Sequence, residues 1–344
     1  MQAVRVHEHG GPEVLRVEDV PEPSAGAGEV LVRVLAVSVN HLDVWMRRGM
    51  PGLKLPLPLI LGSDGVGEVV AVGEGIDDLV PGARVVIEPG FSSGSSPHDL
   101  AGNDHLSDDY GIRGEHCDGL DTELFVSERR LLTPLPEGLD PAAAAAVPLV
   151  FVTAWGMVVT RADVRAGEDV LVLGGASGVG SAAIQIAKDL GARVIATAGS
   201  EAKRELCREL GADHVVDHGR EDWGKEVKAL TDRRGVDVVV EHVGPATWET
   251  SMRVLARGGR LVTCGGTTGP KVSVVLPHLF MKNQSVLGST MGPRSAYETI
   301  FAKVAAGTYR PVLDRVMPLS EVARAHELLE NREVSGKIVL VPGE

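Results

Sequence analysis

The chain has 344 residues, which is longer than one typical domain, so we expect two domains. Hydrophobic residues make up 44% of it and charged residues 24%, which excludes a disordered or collagen-like chain. The 34 Lys and Arg residues against 47 Asp and Glu residues give a net charge of −13, so binding to the phosphate backbone of nucleic acids is unfavourable.

The beginning of the sequence and its cysteines bear on the compartment. Residues 1–5 lack the apolar core of a signal peptide. The three cysteines, Cys117, Cys207 and Cys264, stand far apart and are odd in number, which excludes a disulfide framework. We therefore expect a cytoplasmic protein.

The first 135 residues have the pattern of an all-β region. Short β-branched runs are separated by turns such as Gly10-Gly11-Pro12 and Pro81-Gly82. The predicted strands are 29–39, 65–72, 84–87 and 124–126. Residues 89–119 form a Gly/Ser/Asp-rich segment with no helical or strand period, and a loop of this length usually serves a function or derives from one that did.

Residues 142–159 are almost entirely apolar and have to be tested as a membrane span. Pro148 and Gly156 interrupt the segment, and its length is barely enough for a helix that crosses a bilayer. We predict instead a buried helix and turn at a domain junction, and no membrane partner.

Strands then alternate with helices of about ten residues, which is typical of a doubly wound parallel sheet. The run 169–173 is continuously apolar, as in a parallel strand buried on both faces. The predicted strands are 169–173, 193–198, 215–216, 236–241, 260–264 and 285–288, and the predicted helices are 181–190, 200–210, 225–230 and 248–256. Beyond residue 289 we predict helices 295–306 and 319–331 and a last strand, 336–341.

A glycine-rich turn joins the strand 169–173 to the helix 181–190, with the sequence Gly174-Gly175-Ala176-Ser177-Gly178-Val179-Gly180. Gly175 permits a tight turn, Gly178 lets the backbone approach a pyrophosphate, and Gly180 lets the helix pack closely on the strand. Ser177 stands where the G-x-G-x-x-G motif has its middle glycine, so a plain βα turn is the alternative. The predicted cofactor-binding residues of this turn are Gly175, Ser177, Gly178, Val179 and Gly180.

The end of the next strand indicates which dinucleotide is bound. NAD sites place an Asp or Glu there for the ribose hydroxyls, and this chain has Ala198 at that position. Ser200, Lys203 and Arg204 follow, where they can hold a 2′-phosphate. We therefore predict NADPH over NADH, although NADH remains possible and a solvated helix face is the alternative reading of Lys203 and Arg204.

Further motifs occur in both halves of the chain. They are Gly10-Gly-Pro-Glu-Val-Leu15, Asn40-His-Leu-Asp-Val-Trp-Met-Arg47, Leu61-Gly-Ser-Asp64-Gly-Val-Gly67, Ala144-Ala-Ala-Val-Pro148-Leu, Thr153-Ala-Trp155 and Gly336-Lys337-Ile-Val-Leu. With these motifs the chain resembles the medium-chain dehydrogenase/reductase superfamily, in particular its quinone oxidoreductase-like and zinc-binding dehydrogenase branches, from residue 1 to about residue 342.

The resemblance implies an α/β protein with a GroES-like, β-rich catalytic domain (1–150 and 289–344) and a Rossmann domain (151–288), with substrate and nicotinamide meeting in the cleft. It also implies a homodimer or homotetramer formed through the sheet edge near 272–288.

The zinc-containing members of the superfamily hold a catalytic Zn²⁺ with Cys, His and Cys. This chain has Asn40, Ser63 and Leu149 at the matching positions, with Asp64 beside them. None of the three is a thiolate or an imidazole, so we expect no catalytic zinc.

Many relatives also carry a structural-zinc lobe with four cysteines. The matching positions in this chain are Ser93, Ser96, Asp99 and Ser107, and serine is a poor zinc ligand at neutral pH. We expect no structural zinc. The alternative is a replacement metal site built from His98, Asp99, Asp104, His105, His116 and Cys117.

Carried over by position, the resemblance implies cleft residues in both domains. The candidate catalytic residues are Asn40, Asp43, Arg47, Asp64 and Thr153. An intradomain ion pair is the equal alternative for Asp43 and Arg47. The residues expected to line the nicotinamide are Gly244, Cys264, Gly265, Gly288 and Ser289.

The predicted function is zinc-independent, NADPH-dependent hydride transfer to a small-molecule quinone or α,β-unsaturated carbonyl. The alternatives are an alcohol dehydrogenase with an altered metal site and a non-catalytic NADPH-binding protein.

Overall fold

This computed structural model describes residues 1–50 and 55–343. The chain divides into two units. The first unit comprises Met1–Leu149 and Pro293–Glu344, and the second comprises Val150–Gly292. The first predicted boundary, after residue 150, differs from this division by one residue, and the second, after residue 288, differs by four.

The strands of the described residues are β1 (Gln2–Val6), β2 (Leu15–Asp19), β3 (Glu29–Ser38), β4 (Leu59–Ile60), β5 (Asp64–Val72), β6 (Arg84–Ile87), β7 (Gly90–Phe91), β8 (Gly111–Ile112), β9 (Leu124–Glu128), β10 (Leu132–Pro134), β11 (Asp169–Val172), β12 (Arg193–Thr197), β13 (His214–Val216), β14 (Val236–Glu241), β15 (Leu255–Thr263), β16 (Ser285–Gly288), β17 (Leu313–Pro318) and β18 (Lys337–Val341).

The α-helices of the described residues are α1 (His41–Arg48), α2 (Pro97–Leu100), α3 (Pro141–Ala145), α4 (Pro148–Trp155), α5 (Gly178–Asp189), α6 (Glu201–Glu209), α7 (Trp223–Leu230), α8 (Pro245–Val254), α9 (Leu276–Met281), α10 (Ala296–Ala305) and α11 (Val322–Glu330).

The first unit is built on a mixed sheet in the order β10-β6-β5-β3-β18-β17, with β9 also paired to β3. In β3, Val30, Val32 and Val34 point into the core while Arg33 is exposed, which is the period-2 alternation of a strand with one buried face. Helix α1 was not predicted. Its N-terminal signal is a capping box, in which Asp43 accepts a hydrogen bond from the Asn40 amide at 2.7 Å.

The predicted doubly wound parallel sheet of the second unit is confirmed. Its six strands run parallel in the order β13-β12-β11-β14-β15-β16. All four residues of β11 are buried, as expected for a central strand of a parallel sheet with helices on both faces. The helix predicted at 248–256 ends earlier, at Val254, because Leu255 already pairs with Val236 of β14 and begins β15.

The apolar segment 142–159 forms α3, α4 and the start of a π-helical turn over Gly156–Arg161. In the part of the chain that the structure describes, no helix is both long enough and apolar enough to span a membrane.

Candidate functional site

The turn after β11 has the geometry that a pyrophosphate requires. Gly174 adopts the left-handed φ of 56°, and a Cβ on Gly180 would lie 2.3 Å from the Gly174 carbonyl oxygen, so only glycine fits there. Ser177 is the N-cap of α5, and its Oγ accepts a hydrogen bond from the Gly180 amide at 3.0 Å. The amides of the first turn of α5 and the positive end of its dipole suit a phosphate group. These residues fit a dinucleotide.

The loop that follows β14 is fixed by a buried carboxylate. Glu241 is fully buried and accepts four hydrogen bonds, from the amides of Val243 and Gly244 and the hydroxyls of Thr247 and Ser251. The Gly244 amide is therefore committed to Glu241 and contributes no free donor. The structure places Gly244 at a left-handed φ of 91° at the start of α8.

The other residues predicted to line the nicotinamide follow β15 and β16. The Gly265 carbonyl accepts a hydrogen bond from the Thr263 hydroxyl at 3.1 Å. The Ser289 amide donates to the Thr263 carbonyl at 2.9 Å, and the Gly288 carbonyl accepts from Arg161 at 2.8 Å. The half-buried Cys264 carries a thiol whose pKa burial raises to about 12, so it stays protonated at neutral pH.

The end of β12 carries no acidic side chain. Ala198 is buried, and Ser200 is the N-cap of α6, where its hydroxyl accepts from the Lys203 amide at 3.3 Å. Arg204 pairs with Glu201 at 2.7 Å and with Asp217 at 2.9 Å, and these partners raise its pKa. The guanidinium is therefore held in place beside this strand end, but it is already shared with two carboxylates.

In the first unit, a buried polar cluster gathers around Asp64. Its carboxylate accepts hydrogen bonds from the Ser38 hydroxyl, the Asn40 side-chain amide and the Leu149 backbone amide, each at 2.8 Å. The second amide hydrogen of Asn40 is donated to the Ser38 carbonyl at 3.1 Å. Both amide hydrogens of Asn40 are thus used within the protein, which makes Asn40 a fixed element of the cluster.

A lysine completes this cluster. Lys337 is buried at the start of β18, and its Nζ donates a hydrogen bond to Asn40 Oδ1. Burial lowers the pKa of Lys337, while the carboxylates of Asp64 and Asp43 raise it. Sequence reasoning missed this role, although a lysine directly before the apolar run 338–341 is an unusual residue that could have drawn attention.

Two further carboxyl groups lie in the same region. Burial raises the pKa of Asp43 to about 7, and it raises the pKa of Asp121 well above its usual range, helped there by the charges of Asp43 and Asp64. A buried set of three carboxyl groups and one ammonium avoids a large negative charge when some of the carboxyls are protonated.

The two residues considered as an ion pair, Asp43 and Arg47, have different partners. Asp43 caps α1, whereas Arg47 is fully buried and binds Glu330, the His326 ring nitrogen Nδ1 at 3.2 Å, and the Gly10 carbonyl at 3.2 Å. Arg47 thereby joins α1 to α11. These contacts are those of a residue that holds the fold, and the catalytic assignment of Arg47 stays a prediction.

We expect His326 to make stability depend on pH. Burial and the Arg47 charge lower its pKa to about 3, from about 6.5 in an unfolded chain. Between these two values the unfolded chain binds more protons, so stability is lost as the pH falls. From pH 6.5 to pH 5 this group should remove about 2 kcal/mol of unfolding free energy.

Denaturant unfolding at both pH values, on the native chain and on His326→Asn, measures this effect. Asparagine keeps an acceptor for Arg47 but does not titrate. The unfolding free energy of the variant should therefore lack the pH dependence that His326 contributes. Asp43, whose raised pKa gives the opposite slope, is present in both proteins and cancels. Identical slopes would contradict the assignment to His326.

The positions at which relatives carry catalytic-zinc ligands do not suit a divalent metal in this chain. The buried Ser63 hydroxyl and the Asn40 amide are weak ligands, and Leu149 offers only its backbone. The Lys337 ammonium already contacts the Asn40 oxygen and would repel a second cation. In the described part of the chain, no group of three or more His, Cys, Asp or Glu side chains has a metal-binding arrangement.

The lobe at 89–119 is organised around one carboxylate. Asp99 accepts hydrogen bonds from the Ser92 hydroxyl, the Ser96 amide and the Ser107 hydroxyl, and these bonds lower its pKa. Ser93, the remaining position of the four, bonds to Ser95. The Asp99 carboxylate, with hydrogen-bond donors around it, thus organises the lobe at 89–119, for which a metal site was the alternative.

Thr153 lies in the second unit, in α4, and is buried. Its hydroxyl donates to the Met291 sulfur at 3.6 Å, which is a weak acceptor. The Thr153 proton is therefore easily redirected to a stronger acceptor.

Two family models match the chain. Residues 26–137 match the alcohol dehydrogenase GroES-like domain, and residues 178–306 match the zinc-binding dehydrogenase family. A quinone oxidoreductase of Pseudomonas aeruginosa is 34% identical over 97% of this chain and 97% of its own length.

Two solved structures extend the comparison. One is called an NAD-dependent alcohol dehydrogenase, with 48% identity, a TM-score of 0.96 and full coverage of both chains (100% each). The other is the crotonyl-CoA carboxylase/reductase AntE in complex with NADP, with 30% identity, a TM-score of 0.90 and coverage of 100% of this chain and 95% of that one.

Proposed function

Because this chain belongs to the quinone oxidoreductase-like branch of the medium-chain dehydrogenase/reductase superfamily and is an NAD(P)H-dependent oxidoreductase, we propose that it transfers hydride from NADPH to a quinone or an α,β-unsaturated carbonyl without zinc. The observation that carries this proposal is the contact of the buried Lys337 ammonium with Asn40, at the position of a zinc ligand in relatives. The hydrogen bonds that Asp99 accepts from serine hydroxyls support the proposal of no zinc in the lobe at 89–119 as well.

The proposed substrate class fits a site whose residues are poor zinc ligands. Zinc polarises an alcohol or carbonyl oxygen directly. A metal-free site has to polarise this oxygen with hydrogen bonds instead. Quinones and enones need less stabilisation of the developing negative charge, because this charge spreads over a conjugated system as the hydride arrives. Hydrogen-bond donors then contribute a few kcal/mol each. The relatives include a quinone oxidoreductase and a crotonyl-CoA carboxylase/reductase, which supports acceptors of this kind.

The chemistry divides between the cofactor and this chain. Bound NADPH supplies the hydride, and one proton completes the reduction, on the second oxygen of a quinone or on the α-carbon of an enone. Asn40 and Asp64 hold the buried cluster in one arrangement and release no proton, since both Asn40 amide hydrogens are bonded internally. The Thr153 hydroxyl, whose acceptor in this structure is a thioether, is a donor that can turn towards a substrate oxygen.

The test is NADPH oxidation with a small panel of quinones and enones, with and without a chelator. Turnover of a quinone or enone that a chelator leaves unchanged is the expected result. Turnover confined to alcohols or aldehydes and abolished by the chelator would overturn the proposal. Tight NADPH binding without any turnover of the panel would also count against it.

A second candidate function, oxidation of an alcohol with NAD, is favoured by one observation. The solved structure with 48% identity is called an NAD-dependent alcohol dehydrogenase. Alcohols with NAD therefore form a separate arm of the same assay, and activity in that arm alone would favour this candidate.

NADPH is proposed over NADH because of the end of β12. With Ala198 at the position of the usual acidic residue, β12 itself brings no carboxylate to the ribose, and the nearby carboxylates of Glu201 and Asp217 are paired with Arg204. Arg204 stands at the start of α6 with its guanidinium held by Asp217, and Ser200 caps the same helix. A phosphate between the helix N-terminus and this guanidinium is favourable.

We expect Arg204→Gln to weaken NADPH binding about tenfold, because a charge-assisted hydrogen bond to the 2′-phosphate is lost, and to leave NADH binding within about twofold. Arg208→Gln is the matched control, since Arg208 lies one turn farther along α6 and pairs with Glu201 and Glu205. Dissociation constants from fluorescence titration measure both. Tighter binding of NADH than NADPH by the native chain would contradict the proposal.

We also propose a homodimer or homotetramer formed through the edge strand β16. This strand is mostly exposed, and exposed apolar residues lie both in the segment before it and within it. The exposed large hydrophobic residues of the patch are Val272, Val274, Val275, Leu276, Phe280, Met281 and Val286. Light scattering should give a dimer or tetramer for the native chain and a smaller species for Leu276→Asp/Phe280→Asp, whereas a monomeric native chain would contradict this.

A cytoplasmic location is proposed from the cysteines. Cys117, Cys207 and Cys264 are all free thiols, and burial raises the pKa of Cys207 to about 12. Free thiols suit a reducing compartment. Fractionation of cells that express the protein tests this.

A further inference from the structure

His242 stands at the point where an open parallel sheet binds its ligands. It directly follows β14, and Gly174 lies just beyond β11, its neighbour in the sheet. The chain leaves β11 towards β12 on one side and later returns to β14 on the other. Ligands of such sheets bind at this switch point, in the crevice beyond the carboxyl ends of the strands.

The imidazole of His242 borders the phosphate-binding turn. A Cβ on Gly174 would lie 3.2 Å from His242 Cε1 and 3.7 Å from Nε2, so the ring packs against the first glycine of the turn. The loop that carries His242 is also tied to the loop after β15. The Thr267 hydroxyl donates to the His242 carbonyl at 3.1 Å, and the Thr268 hydroxyl donates to the Val243 carbonyl at 2.7 Å.

One nitrogen of this ring lacks a partner. His242 Nε2 is buried and has no hydrogen-bond partner among the described residues. Buried polar atoms are normally paired, because an unpaired one loses its hydration without compensation. Glu241 and Thr267 hold the backbone of this loop, and the ring packs against Gly174, so Nε2 stays buried. Nε2 is therefore open to a partner that the described residues do not supply, at the place where the sheet binds its ligands.

The chemistry of the ring selects the kind of ligand atom. Burial lowers the pKa of His242, so the imidazole is neutral at physiological pH. The Leu173 carbonyl interacts with the ring and favours a proton on the nitrogen that faces it. We assign this proton to Nδ1, because Nε2 has no partner among the described residues. A neutral ring protonated at Nδ1 has a lone pair at Nε2, which needs a donor such as a hydroxyl and not a phosphate oxygen.

We propose that His242 is a cofactor-binding residue whose Nε2 accepts a hydrogen bond from a hydroxyl of the nicotinamide ribose. The adenosine half of a dinucleotide lies over the strand after the glycine turn, here β12. The nicotinamide half consequently lies over β14, the strand that carries His242. This assignment rests on the nicotinamide cofactor of the proposed function, but it does not depend on the substrate.

Two variants test the assignment through cofactor affinity, measured by calorimetric titration without substrate. In His242→Leu the acceptor is gone, so the dissociation constants of NADPH and NADH should both rise roughly five- to tenfold. Thermal unfolding of the cofactor-free variant should be unchanged or occur at higher temperature, because an unpaired buried nitrogen is removed. In His242→Gln an acceptor remains, and both constants should stay within about threefold.

A cofactor with a 2′- or 3′-deoxy nicotinamide ribose adds a chemical control. One of the two analogues should bind to the native chain more weakly than the unmodified cofactor does. The same analogue and the unmodified cofactor should bind to His242→Leu with equal affinity. Unchanged affinities in His242→Leu, or a less stable cofactor-free variant with unchanged affinity, would overturn the proposal and assign His242 to the fold. If the native chain bound neither cofactor, the failure would lie in the cofactor assignment itself.

Nitrogen NMR of the native chain gives a readout that needs no variant. The Nε2 resonance of His242 should report an unprotonated nitrogen in the cofactor-free protein and shift when NADPH is added. A resonance that does not move on saturation with NADPH would also overturn the proposal.

Discussion

Lys337→Met should destabilise the protein by about 3–5 kcal/mol, because it removes the cation from a buried group of carboxylates. The variant leaves Asp64 and Asp43 without the charge that now faces them, and it leaves Asn40 Oδ1 without its donor. Denaturant unfolding at neutral pH measures the loss. The same variant should lower activity, since Asn40 keeps its bonds to Asp64 and Ser38 but its Oδ1 loses its only donor in the cluster as described.

The double variant Lys337→Met/Asp64→Asn separates charge from packing. Removing one carboxylate together with the ammonium restores much of the charge balance, so we expect part of the lost stability to return. If Lys337→Met and the native protein had the same midpoint of denaturant unfolding, Lys337 would not be balancing buried charge.

Gly180→Ala should weaken binding of NADPH and NADH at least about a hundredfold, the equivalent of two charge-assisted hydrogen bonds to the pyrophosphate. A Cβ at this position would lie 2.3 Å from the Gly174 carbonyl oxygen, which is backbone and cannot rotate away. Helix α5 then has to move from the turn, and its N-terminal amides lose their positions.

Gly26→Ala is the control for this substitution. A Cβ there meets only the flexible Glu29 carboxylate, at 3.1 Å and 3.8 Å, and Gly26 belongs to the first unit, whereas the turn belongs to the second. Cofactor titration should give the native dissociation constants for this variant. Native affinity in Gly180→Ala would show that the turn does not hold the pyrophosphate.

The parallel sheet was predictable because its signals are local. A fully buried strand such as β11 is a continuous apolar run, and the glycines after it follow at fixed spacing. Helix α1 was not predicted because its capping residues, Asn40 and Asp43, follow a strand directly and were interpreted as cleft residues. The end of α8 was misplaced because Leu255 is apolar in either structure, and only pairing with β14 makes it a strand residue.

The candidate site was less predictable than the fold because its contacts are distant in sequence. Asn40 and Lys337 are 297 residues apart, and Arg47 and His326 are 279 residues apart. No local pattern connects such residues. The same holds for His242, since the lack of a partner for its Nε2 among the described residues is a property of the folded loop and not of the sequence Glu241-His242-Val243.

The central claim is that the site works without a metal ion, and the most direct measurement is the zinc content of a freshly purified preparation whose turnover is determined at the same time. We predict full quinone or enone reduction by protein that contains only trace zinc, unchanged after dialysis against a chelator. Stoichiometric zinc, with activity that is lost on its removal and restored on its return, would contradict the account.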